Sequence, residues 1–262
     1  MARPLSEAVD ETLGSLIAEG PHPDLSAAAL RLARRTPELA AALGEAEASP
    51  MRRALLGLEP PPPVAPDAAL ADRVLRAIAL ADGGVLPTAP EAAALEDAAQ
   101  DDPRWWVDAA RIHVLASESR ERAARMALSV QDLPYVFPGE LHPMMVEVLA
   151  VGDRVLTSLH VDWMRKLTHW VTDVAVLDVR ELGLWFWPQL RYLDDRKLAR
   201  PLKKLVKVRR GQPGSRGLAV AYLTRIGVDV AAAFEALETA DQRIAALAIA
   251  SDRPAGAPAS WR

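Results

Sequence analysis

Residues 215–227 read SRGLAVAYLTRIG, an arginine followed by Ala219, Leu223 and Gly227 at steps of three or four residues. A looser copy, QRIAALAIA at 242–250, places Arg243 27 residues after Arg216. A short helical unit repeated at such a period is too thin to bury its apolar face alone. Successive units must stack in pairs and share a core. That requirement constrains the fold more than any other feature of the chain, and its usual product is a binding surface.

The rest of the sequence supports helix. Half of the 262 residues are apolar, yet only 5% are aromatic, and β-branched residues come singly among many alanines and leucines. Helix propensity therefore prevails nearly everywhere. One strand candidate exists, residues 133–137, and Pro134 demotes it. The expected class is all-α, either stacked antiparallel helix pairs or an irregular helical bundle. The length suits one large domain or two smaller ones. With no cysteine, disulfides, thiolate metal sites and cysteine nucleophiles are excluded.

Punctuation along the chain divides it further. Helices are expected over 5–19, over 27–35 with Asp24 or Ser26 as cap, over 38–43 behind Thr36-Pro37, and over 50–58. Residues 59–66, EPPPPVAP, form a stiff polyproline-like connector. Asp67 is expected to cap 68–81, and 90–99 and 103–117 to form a helix pair. Further helices are expected at 194–209, 215–226, 230–237 and 240–250. The resulting organisation is an acidic N-terminal helical subdomain (1–58), the linker (59–66), a repeat-like helical domain (67–251) and a disordered tail (252–262). No apolar run reaches membrane-spanning length. The N-terminus carries acids where a signal peptide needs a basic region and an apolar run. A cytoplasmic protein is the expectation.

The net charge of −4 conceals an asymmetry. Residues 1–103 hold 17 acids and 8 arginines, whereas 196–228 hold ten basic residues and no acid. The sharpest feature is RKLARPLKKLVKVRR at 196–210. At helical spacing Arg196, Arg200, Lys203, Lys204 and Lys207 share one face, opposite Leu198, Leu202, Leu205 and Val206. Pro201 fits only if it takes the first turn. Lys197, Arg209 and Arg210 complete the candidate binding set. Such a face suits a protein partner, nucleic-acid phosphates or the acidic half of a second copy; an anionic membrane is the least favoured. A merely solvated helix face explains the same pattern without any partner.

The units at 216–227 and 243–250 resemble HEAT-type repeats, in which a turn precedes an arginine and small residues at fixed offsets. The resemblance implies that small residues let helices approach closely. It also implies that each arginine pairs with carbonyls or carboxylates of its neighbour. A second stretch, DWMRKLTHWVTD at 162–173, is similar in flavour to HEAT-like alkylpurine DNA glycosylases, which implies Asp173 as the catalytic carboxylate among Trp163 and Trp170. Here the aspartate follows Trp170 by three residues, whereas that family has four, a rotation of about 100° on a helix.

Other chemistry has little footing. His160 and His169 are nine apart rather than at the i,i+4 spacing of a one-helix metal pair. No phosphate-cradling glycine loop and no GxSxG elbow occur. The tryptophans, Trp185 and Trp187 among them, are expected to fill gaps between alanine-rich helices. Neither metal nor cofactor is expected. The functional expectation is a non-catalytic scaffold or adaptor. The alternatives are nucleic-acid binding, with base excision at Asp173 as its enzymatic form, and a self-assembling structural component.

Overall fold

The computed structural model describes residues 3–116, 187, 196, 199–207 and 214–253. Within them the chain is helical and contains no strand. The helices are α1 (Leu5–Ala18), α2 (Ala27–Ala33), α3 (Pro37–Glu45), α4 (Pro50–Leu55), α5 (Leu70–Asp82), α6 (Ala89–Ala99) and α7 (Pro103–Ala116). They continue as α8 (Ala199–Lys207), α9 (Ser215–Arg225), α10 (Ala231–Glu235) and α11 (Thr239–Ser251). Among the described residues no helix is long and apolar enough to cross a membrane. Residues 133–137, the stretch 162–173 and the tail beyond 253 lie outside the described residues.

Local signals set most helix ends. Ser26, rather than Asp24, caps α2, its hydroxyl accepting the Ala29 N–H at 3.2 Å. Ser49 caps α4 ahead of Pro50. Thr88 donates its N–H and hydroxyl to the Glu91 carboxylate at the start of α6. Those bonds hold the Glu91 carboxyl below the usual carboxylate range.

Two expected caps are corrected. Asp67 caps nothing: residues 65–68 form a turn, with the Ala68 N–H donating to the Ala65 carbonyl, and α5 begins only at Leu70 behind Ala69. Thr36 lies before α3 but does not cap it with its side chain. Its hydroxyl instead donates to the Ala250 carbonyl near the end of α11 at 3.3 Å.

That bond belongs to a wider contact between the two ends of the described chain. α11 packs against α1 and α2 as well as against α9. Arg243 on α11 pairs with Glu19 and with Asp24, and Arg253 reaches Asp10 at 2.7 Å. One hydrophobic core therefore holds residues from both sides of the 59–66 connector, from Leu13 and Leu16 to Ala246 and Leu247. From α11 the contacts continue through α2 and α4 to α5, and then to the α6–α7 pair; in the other direction they pass through α9 to α8. α8 and the α6–α7 pair thus stand at opposite ends of the series of contacts among the described helices.

Small residues govern the tightest contact. α9 is buried almost all round, from Ser215 to Leu223, as a helix enclosed by neighbours must be. A Cβ added at Gly217 would collide with the Asp241 carbonyl oxygen and lie 3.0 Å from its carbon. Glycine is what lets α9 meet the first turn of α11. The largest side chain nearby is Trp187, 1% exposed. Its Nε1 donates to the Ala248 carbonyl at 3.0 Å, and the Arg225 guanidinium lies 3.9 Å from its ring centre. The gap-filling expected of the tryptophans holds at Trp187.

Candidate functional site

α8 forms as the sequence pattern requires. Pro201 is its third residue, inside the first turn, where its missing N–H has no helical partner to lose. Leu202, Leu205 and Val206 are buried, and α8 packs on α9. Each buried side chain contributes about 1.5–3 kcal/mol. The Arg216 Nε donates to the Val206 carbonyl at 3.1 Å, tying the last turn of α8 to the first turn of α9. Arg216 is itself buried, so this charge serves the helix junction and not the surface.

The opposite face of α8 carries Arg200, Lys203, Lys204 and Lys207, all exposed. Arg196, ahead of the helix, is exposed as well. Lys197, Arg209 and Arg210 lie outside the described residues, as does Asp173. Among the described residues no carboxylate pairs with the four cations of α8. Several arginines elsewhere are neutralised by carboxylates of the same chain. Arg31 is held by Asp82 at 2.7 Å and Asp108 at 3.1 Å. Arg52 is held by Glu47 at 2.6 Å, and Arg225 by Asp252 at 2.8 Å. The cations of α8 have no such partner among the described residues.

Behind this face sits a buried carboxylate. Asp241, 4% exposed, is in the first turn of α11 and accepts the Gly217 N–H at 2.9 Å. Burial pushes its carboxyl above the ordinary value, while the N–H groups of Gly217 and Gly214 and the charge of Arg216 pull the other way without prevailing. The N-terminal ends of α9 and α11 thus converge on one side chain, and both helix dipoles favour negative charge there. The role is architectural: it fixes the angle at which α9, and so α8, is presented.

Compared with family models, with curated proteins and with solved structures, the chain has no significant match. The reading of the site therefore rests on its own chemistry. Among the described residues no group of three or more histidines and carboxylates is placed to hold a metal ion. The buried His22 ring is hydrogen-bonded to the Leu16 carbonyl, and His113 pairs with Glu96. Both are engaged in the scaffold. Asp241 and the Arg31–Asp82–Asp108 cluster escaped the sequence pattern. The one available signal for Asp241 was its place two residues before Arg243 of the second repeat-like unit.

Proposed function

We propose that this protein is a non-catalytic helical scaffold, HEAT-like in the stacking of α8, α9 and α11, that docks an anionic partner on the exposed face of α8. One observation carries the reading: four cations project exposed from a single short helix with no carboxylate partner among the described residues, whereas Arg31, Arg52 and Arg225 are each held by a carboxylate of the same chain. Leaving like charges together on a surface repels them mutually, a cost that an anionic partner removes. The helix beneath is anchored by three apolar side chains and the Arg216–Val206 bond, so the face is presented on a fixed support rather than on a loop.

Immobilised heparin, a dense anionic surface, tests the docking face directly. Retention should weaken steeply between about 50 and 200 mM salt, as expected where several charges are neutralised together. It should vanish in the triple variant Lys203→Glu, Lys204→Glu, Lys207→Glu. Absence of retention at low salt overturns the reading. The same cationic face supports nucleic acid as the second reading. Duplex DNA bound with a comparable salt slope would favour it, whereas heparin retention without DNA binding favours a protein partner.

A further inference from the structure

We propose that the anionic partner of α8 is the acidic face of α6 on a second copy of this chain, in a head-to-tail contact; this rests on the docking role of α8 given above. α6 carries Glu91, Glu96 and Asp97 and no lysine or arginine, and Asp101 follows it closely. Its buried side is Ala92, Leu95 and Ala99, and the exposed residues include Glu91, Ala94, Asp97, Ala98 and, beyond the helix end, Asp101. Acids and alanines thus recur at steps of three and four, the spacing that also aligns Arg200, Lys203, Lys204 and Lys207 on α8. At a rise of about 1.5 Å per residue, both rows repeat their charges over comparable lengths, so two such helices laid side by side bring opposite charges together. The alanines between the acids leave room for long lysine stems to lie along α6 with their ammonium groups outward.

Glu91 is taken up by Thr88 and Glu96 by His113, which leaves Asp97 and, just beyond α6, Asp101 to meet a partner. Asp10, Glu19, Asp24 and Asp82 are taken up by arginines of the same chain. Among the described residues Asp97 and Asp101 form no ion pair. The two faces lie on different helices at opposite ends of the series of contacts, so joining them is a heterologous contact. Repetition of such a contact closes into a ring or extends as an open filament. An interface made of exposed ion pairs is weak and screened by salt, and its strength lies in specificity and rapid encounter.

Sedimentation velocity of the full chain tests this at about 50 mM and about 500 mM salt, where screening lengths differ several-fold. Wild-type protein should gain apparent mass with concentration at low salt and return to monomer at high salt. Lys203→Glu with Lys204→Glu, or Asp97→Lys with Asp101→Lys, should each weaken association at least about tenfold. Combining all four substitutions exchanges the charges on both faces and should restore it. Far-UV circular dichroism of each variant confirms that helicity is kept. A wild-type protein monomeric at every concentration, or an Asp97→Lys, Asp101→Lys variant that associates like wild type, overturns the proposal. So does a fully helical four-fold variant that stays monomeric. If any of these occurs while heparin retention still depends on Lys203 and Lys204, α8 docks an anion other than this chain. The proposed function then stands without the second copy.

Discussion

The Gly217 N–H in the first turn of α9 donates to the Asp241 carboxylate in the first turn of α11 at 2.9 Å. The same glycine has no Cβ because the Asp241 backbone occupies its place. Removing the carboxylate leaves buried N–H groups without their acceptor, a loss of about 1–3 kcal/mol. Asp241→Ala should lower stability by that amount, read from the urea midpoint.

Asp241 also predicts a pH dependence. Its folded-state pKa is raised, so between its unfolded and folded values the native protein binds more protons than the unfolded chain. Stability from this group is fully present below the unfolded pKa and declines as pH rises through the folded pKa. Glu47 has the opposite sign. Burial would raise its pKa, but the Arg52 hydrogen bond and the Ser49 N–H outweigh burial and lower it. Its contribution is present above the unfolded pKa and is lost as pH falls through the folded value. Urea titrations across pH should show Asp241→Asn removing the first slope and Glu47→Gln the second.

Two glycines should respond in opposite directions to the same substitution. Gly217→Ala forces α9 and α11 apart and should cost about 1–3 kcal/mol. Gly14, inside α1, has open space where a Cβ would project. Gly14→Ala should raise stability by about 0.5–1 kcal/mol through helix propensity. Thermal melts of the two variants decide both.

Arg31 joins α2 to the end of α5 through Asp82 and to α7 through Asp108, with side-chain exposures of 14%, 15% and 13%. Burial favours losing its proton, but the two carboxylates prevail and hold the guanidinium pKa above its ordinary value. Arg31→Ala removes the guanidinium shared by two half-buried carboxylates and should cost about 3–5 kcal/mol. Loss of only a few tenths in a urea titration would show that solvent screens the cluster.

The two faces of α8 should separate stability from docking. Leu202→Ala should cost about 2–5 kcal/mol. Lys203→Glu with Lys204→Glu should stay within about 0.5 kcal/mol of wild type while heparin retention is lost.

Helix identity and the split faces of α8 were legible in the sequence because both follow from residues close together on the chain. Leu202, Leu205 and Val206 repeat at helical spacing, and Pro201 can occupy only a first turn. The repeat-like arginines were legible as well, but not their separate uses. Arg216 is buried against Val206, whereas Arg243 reaches Glu19 and Asp24, more than 200 residues away in sequence. No local pattern marks which acids an arginine will meet.

By itself, the sequence determined an all-helical chain in the residues described, with an amphipathic basic helix just before the SRGLAVAYLTRIG unit. The tertiary structure alone decided that α1 and α2 cover α11, that Thr36 gives its hydroxyl to Ala250 rather than to its own helix, and that Asp241 joins two helix starts. Propensity and periodicity act over one or two turns. The pairing of buried polar groups depends on which helices meet, and that is fixed only when the shared core forms.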